Sequence, residues 1–228
     1  MEPINKQLPE LELWLQDAQA YVFKMTGGSM KKAGFHFDRN HFTFTRKNKK
    51  SLDQLAIIFV SHFPVNFRIS FQLDIWHPQI KQIKESFLGD ILNKDSNLAS
   101  IILQMKDFTS QDSEQQPVKD YSICDHRDLF MACDWLAHTL QYELIPICDQ
   151  MSSIAHLDDF FESKPDWTLN SHSGGNICTD LIVARLNGKR DVHQRYRQLF
   201  EGLQQKIGEQ LMTPESRHLL TLCYERIK

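Results

Sequence analysis

Two side chains four positions apart, Asp134 and His138, raise the question of chemistry first. On a helix that spacing puts a carboxylate and an imidazole on one face, where together they can ligate a divalent metal. His126, Asp128 and Glu143 stand one or two turns away. A metal-dependent, hydrolase-like enzyme is what such a set would serve, with Asp134 and His138 as its working pair. No H-E-x-x-H word and no facing partner motif accompanies them, and a hydrogen-bonded surface pair explains the spacing equally well. No metal, catalytic residue or cofactor is therefore assigned. Cys124, with Ser122 and His126 beside it, offers a thiol near a base. Nucleophilic catalysis needs the two to meet in space with a shifted thiol pKa, which nearness in sequence does not supply.

Three other places carry polar chemistry. Gly27-Gly28-Ser29 could present backbone N–H groups to a phosphate, yet it lacks the Lys-Ser/Thr ending and the preceding apolar strand of a P-loop, so it reads as a break in a helix. The hairpin Phe35 to Lys50 sets Arg39, Arg46, Lys47, Lys49 and Lys50 beside Phe35, Phe37, Phe42 and Phe44, as a nucleic-acid-binding sheet would. Asn40 stands where a further aromatic ring is needed, and the phenylalanines are explained as core, so nucleic acid is not the expected partner. The third place is the strand from Phe67. There Phe67, Ile69, Phe71, Leu73 and Ile75 alternate with Arg68, Ser70, Gln72, Asp74 and Trp76, giving one apolar and one wet face. Arg68, Gln72, Asp74 and Trp76, with His77 just beyond and Trp167 in a later loop, are the expected ligand- or partner-binding residues. Trp76-His77 and the loop from Asp166-Trp167 through Gly175 could line a pocket between a sheet and a helical half. Two tryptophans closing a seam is the simpler account.

These residues need elements to hold them. Leu11, Leu15, Ala18, Val22 and Met25 recur at helical spacing and predict a helix over 10–25. Phe35/Phe37 and Phe42/Phe44 flank Asp38-Arg39-Asn40 as a hairpin. The apolar run Leu55 to Val60 predicts a central strand buried on both faces. Four strands joined by short links predict an antiparallel meander. Pro78 opens a second helix with Ile80, Ile83, Phe87, Leu88, Ile91 and Leu92 as its stripe, and 99–105 suits helix or strand. Beyond the polar stretch 109–119 the pattern turns helical: 125–145 with Pro146 ending or kinking it, 154–162, 180–186, 192–207, and a last helix opened by Thr213-Pro214-Glu215. A loop is predicted at 170–176.

The run Lys31-Lys32-Ala33-Gly34-Phe35, followed by Phe37, Phe42, Phe44, Arg46 and Ile69-Ser70-Phe71, resembles the bacterial domain-of-unknown-function family 4304 over about residues 10–76. In that family a helix enters a Lys-Gly-Phe turn and then an aromatic hairpin. The resemblance implies a bacterial protein and a fold but no activity, and it does not extend to Gly27-Gly28 or to the helical half.

The expected fold is thus α+β: an antiparallel sheet of about four strands covered by helices, with a mainly helical C-terminal half. The expected division is 1–108 as the sheet domain and 120–228 as the helical region. A net charge of -3 gives no general attraction to nucleic acid or acidic membranes. No apolar run approaches the roughly 20 residues that span a bilayer, and Met1 to Lys6 lacks the head and core of a signal peptide, so a cytoplasmic protein is expected. Cys124, Cys133, Cys148, Cys178 and Cys223 form no C-x-x-C pair and read as reduced, mostly buried thiols. The functional expectation is a non-enzymatic binding or interaction protein whose partner is another protein.

Overall fold

The computed structural model describes residues 8–48, 50–62, 66–88, 99–104, 121–164, 168–169, 174–209 and 211–228. Helix α1 (Leu8–Lys32) continues through Gly27-Gly28, where the sequence predicts a break. Gly27 serves packing instead: a Cβ there would lie 3.0 Å from the Phe23 ring, while Gly28 faces open space. The buried stripe of α1 is Ala18, Val22, Thr26 and Met30, and Thr26 Oγ1 donates to Val22 O at 2.8 Å, so its hydroxyl is satisfied within the helix. The helix closes at Gly34, whose φ of +86° suits glycine. Phe35 N–H then returns to Met30 O at 2.9 Å.

The strands β1 (His36–Asp38), β2 (Thr43–Lys47), β3 (Leu52–His62), β4 (Asn66–Trp76), β5 (Ile101–Gln104) and β6 (Tyr121–Ile123) form one sheet in the order β1-β2-β3-β4-β5, with β6 pairing β4. The class is α+β with an antiparallel sheet. Phe37 faces Phe44 across β1 and β2, and Phe67 faces Ile123 across β4 and β6. Six strands replace the expected four because β5 and β6, of four and three residues, are too short to show a period. Strand β3 differs from expectation as well. Leu55 and Ile57 are buried, but Ile58 and Val60 are 39% and 42% exposed. Branched residues favour a pleated strand on a wet face too, so an apolar run does not by itself report burial on both sides.

The chain forms two compact units, one of Met1–Arg46, Gln54–Leu73 and Leu103–Ile147, the other of Lys47–Asp53, Asp74–Ile102 and Cys148–Lys228. In the first, a relay of rings joins the elements: Phe23 stacks on Phe37 at 4.2 Å, Phe37 meets Phe42 edge-on at 5.2 Å, and Phe42 meets Phe59 at 5.1 Å. Helix α3 (His126–Thr139) packs on α1 and β6 through Leu129, Ala132, Cys133 and Leu136. Asp125 caps it by accepting the Asp128 N–H. It runs into a π turn, Leu140–Leu144, in which Ile145 N–H bonds Leu140 O. Pro146 accounts for the turn. Proline has no N–H to give the carbonyl four residues back and its ring crowds that carbonyl, so a wider turn relieves both faults and lets α4 (Ile145–Met151) follow.

The second unit is built around α6 (Gly174–Asn187), which packs against α2 (Pro78–Leu88), α5 (Ile154–Ser163), α7 (Val192–Gly208) and α8 (Pro214–Ile227). Residues 176–184 are all buried and exposure begins only at Arg185, so most of α6 has no wet side and its environment is supplied by neighbours all round. Gly174 to Asn176 are helical where a loop is predicted, and the rest of that predicted loop, 170–173, lies outside the described residues. Asp180, within α6, is fully buried and held by Arg195 Nε at 3.2 Å and by Arg190 at 3.0 Å. Arg190 also binds Asp158, which accepts Asn187 Nδ2 at 2.7 Å. At Gly202 a Cβ would lie 2.5 Å from Leu169, so glycine permits that approach of α7. Among the described residues no helix is long and apolar enough to cross a membrane. Cys133, Cys148, Cys178 and Cys223 are buried free thiols and Cys124 is an exposed one.

Candidate functional site

A cavity of about 360 Å³ lies in the second unit where three segments meet: the turn at 48–51, the start of α2, and the start of α5. Asn48 builds the first segment. Its Oδ1 accepts the N–H groups of Lys50 and Ser51, at 2.9 and 2.7 Å, and Ser51 Oγ goes on to Asp53 at 3.0 Å. This fixes the backbone that carries Lys50 to the cavity wall.

The start of α2 is pinned more tightly. His77 follows the last residue of β4, and its carbonyl accepts Lys81 N–H at 2.9 Å, which makes it the residue that opens the helix. Its own N–H donates to Ser100 Oγ at 2.7 Å, while Ser100 N–H donates to Ile75 O at 2.7 Å. Lys84, one further turn along α2 and fully buried, donates to Ala99 O at 2.7 Å. A lysine and a serine thus clamp 99–100 to β4 and α2, and the clamp sets the position of His77. Pro78 occupies the first helical place, where a missing N–H costs nothing.

The third segment is Ser152-Ser153-Ile154. Ser152 Oγ donates to Asp149 O at 2.7 Å, and Ser153 opens α5, its carbonyl accepting Leu157 N–H at 3.0 Å. No hydrogen bond ties the Ser153 side chain to the helix it opens.

His77 is the polar side chain at the centre of this arrangement. It is only 6% exposed, it lines the cavity, and among the described residues its Nδ1 has no hydrogen-bond partner. Burial pushes its pKa down, a hydrogen bond to the Ser152 backbone pulls it up, and the Lys50 charge again lowers it. The net effect is downward, so the ring is held neutral below the pH at which an ordinary histidine would charge. The cavity wall is otherwise electropositive. Neither α2 nor α5 has an acidic residue in its first turn, so two helix N-termini and the Lys50 ammonium face the space without a carboxylate from those turns.

Of the expected ligand- or partner-binding residues, His77 is the one that lines this cavity, and Lys50, singled out with the basic hairpin, lines it too. Trp76, its neighbour, is half-buried, and Asp74 is buried, so the wet face expected along β4 ends before Asp74. In the first unit Arg68 is exposed and Gln72 half-buried, both on β4. Trp167 lies outside the described residues. Phe35 and Phe44 of the aromatic hairpin are buried, and Arg46 lies 4.7 Å over the Phe35 ring, so these groups serve the core of their unit. Asp134 and His138 sit on an exposed stripe with Phe130 and Tyr142, the His138 ring 4.7 Å from that of Tyr142. Among the described residues no group of three or more His, Cys, Asp or Glu is placed to hold a metal ion.

No family model matches this chain, and no curated protein or solved structure matches it significantly. The residues themselves carry the reading. Sequence reasoning passed over Ser152 and Ser153 as site residues, although two serines ahead of Ile154 are a helix-start signal that could have drawn attention to them. That Lys50 joins them has no local signature, since 50, 77 and 153 are brought together by the fold.

Proposed function

We propose that this protein is a non-enzymatic binding protein whose site is the cavity at His77. One observation carries the reading: a buried imidazole, a lysine and two serines from three separate segments meet at a cavity of ligand size. Cavities of roughly 300–1,000 Å³ with a few converging polar groups are the usual form of small-molecule sites. The lining groups suit recognition more than reaction, because Ser152 Oγ is committed to Asp149 O and the imidazole to the Ser152 backbone. Nuclear magnetic resonance of the ¹⁵N-labelled imidazoles tests this. Screened against a set of small polar molecules, at least one should move the His77 ring signals saturably, and a screen in which none does so removes the reading.

A second reading, association with another protein, is favoured by α3 and the π turn of the first unit, where Phe130, Met131 and Tyr142 are 54%, 52% and 62% exposed. Large apolar and aromatic side chains on one exposed stripe are the anchors that protein interfaces use. Phe130→Ser with Tyr142→Ser should abolish co-purification of a partner while leaving the His77 signals in place. Unchanged co-purification sinks this reading.

A further inference from the structure

We infer that the exposed stripe of α3 and its π turn is a self-association surface, on which the same stripe of a second copy of this chain lies antiparallel. The inference rests on the protein-interface reading above and goes on to name the partner. It stands on the order of the side chains along the stripe.

Phe130, Asp134, His138 and Tyr142 form the row, with Met131 and Gln141 beside it, and all six are exposed. The opposite face, Leu129, Ala132, Cys133, Leu136, Leu140 and Leu144, is buried in the first unit, so the row is held outward. In a straight α-helix residues four apart advance by about 40° at each step, and such a row winds away around the axis. The π turn Leu140–Leu144 takes more residues per turn and checks that drift. Tyr142 accordingly stays over His138, the two rings 4.7 Å apart. The turn that Pro146 forces therefore keeps a second large aromatic side chain in the row.

The row is complementary to itself when reversed. A two-fold axis at the level of Leu136 sets Phe130 against Tyr142 of the second copy, Asp134 against its His138, and Met131 against its Gln141. Symmetry makes each pair occur twice, as a closed dimer requires. Ring meets ring, and the carboxylate meets an imidazole N–H that can donate to it. Other arrangements lose this match. A parallel pair, or an antiparallel one with its axis at Asp134, puts the two Asp134 carboxylates together. With the axis at His138 two imidazoles meet and Phe130 lies opposite Pro146. An axis between Phe130 and Met131 pairs Arg127 with Asp134 but leaves His138 and Tyr142 uncovered.

Six side chains are far fewer than the roughly 20–30 residues a side of a standard interface, so this dimer dissociates on dilution. Its formation is therefore read from a concentration series.

Sedimentation velocity of the protein over such a series is the test. The average mass should climb towards twice that of one chain as concentration rises. His138→Asp, which sets carboxylate against carboxylate at two places, should weaken the dimer about tenfold. Asp134→His combined with His138→Asp exchanges the partners and should bring affinity back to within about twofold of the unaltered protein. Phe130→Ser with Tyr142→Ser should leave a monomer throughout, with the His77 signals unmoved as the check on folding. A dimer indifferent to these changes lies on another surface and overturns the inference, as does an exchange variant that recovers nothing. If the protein stays monomeric but Phe130→Ser with Tyr142→Ser abolishes co-purification of a different protein, self-association falls and the interface reading stands. If it stays monomeric and co-purification is unchanged, both fall.

Discussion

Two buried polar regions among the described residues of the second unit are built on opposite plans. In the Asp158–Asp180–Arg190–Arg195 cluster each carboxylate meets a guanidinium, and Arg190 spans the two aspartates. At His77 the polar groups are just as deliberately placed, by Ser100, Lys84 and Asn48, yet the buried ring nitrogen Nδ1 has no hydrogen-bond partner among the described residues, and the residue lines a cavity. Closed pairing secures α6 against its neighbours, whereas incomplete pairing next to a space of ligand size is what a binding site needs. The difference predicts that the first region governs stability and the second governs affinity.

The sharpest way to break this contrast is Asp180→Ala, which strands Arg195 and half of the Arg190 interaction. A loss of about 3–5 kcal/mol in urea unfolding is expected, and a loss under about 1 kcal/mol would show that the cluster is not the staple described. Next in size is an effect of pH. Burial lowers the Lys84 pKa to about 8 from an ordinary 10.5. Below pH 8 both folded and unfolded chains hold this proton, and between the two values only the unfolded chain does. Stability should therefore rise across that window, by about 3 kcal/mol from this residue. Lys84→Met should flatten the rise, and an identical slope in the variant contradicts the assignment.

His77 gives a smaller effect of the same sign. Its pKa is lowered by burial, so the unfolded chain binds a proton near the ordinary imidazole value before the folded chain does, and ligand-free stability should fall as pH drops through that region. His77→Gln should remove this part of the slope, and an unchanged slope contradicts the assignment. Lys50 is the charge that acts on the ring. Asp53, Asp74, Lys81, Lys84, Glu85, Asp149 and His156 are among the other titratable groups on the segments around it, and His156→Gln is the control for a second imidazole. Smallest of all, Lys189→Ala should change stability by less than about 1 kcal/mol, since Lys189 and Asp159 are 59% and 58% exposed and water screens their attraction. A larger loss would place that pair inside the closed cluster.

What could be read from the sequence divides along the same line as the physics. Thr213-Pro214-Glu215 opens α8 where expected, and the alternation from Phe67 gives β4, because capping and period are local properties. The break expected at Gly27-Gly28 failed because the reason for Gly27 is the Phe23 ring, a packing fact that the glycine pair does not announce. Asp74 follows the polar alternation and is nonetheless buried, since burial depends on what other parts of the chain supply. The site was half legible. His77 stands out after a clear strand and before a helix-opening proline, but the Lys50 turn and the serines before α5 become its neighbours only through long-range folding. Local pattern marks where elements start and stop, and a cavity is a property of several elements at once.

The interleaving of the two units has a consequence for how the protein is made. Synthesis proceeds from the N-terminus, so Lys47–Asp53 and Asp74–Ile102 leave the ribosome well before Cys148–Lys228, the helices they pack with in their unit. The clamp of Lys84 and Ser100 can form early, but α5 and α6 arrive late. Until then the Lys84 side chain, destined for full burial, lacks the helices that α2 packs against in the finished unit. The segment that holds His77 therefore waits for a distant one, and the cavity can be lined only once Ser152 to Ile154 have been translated.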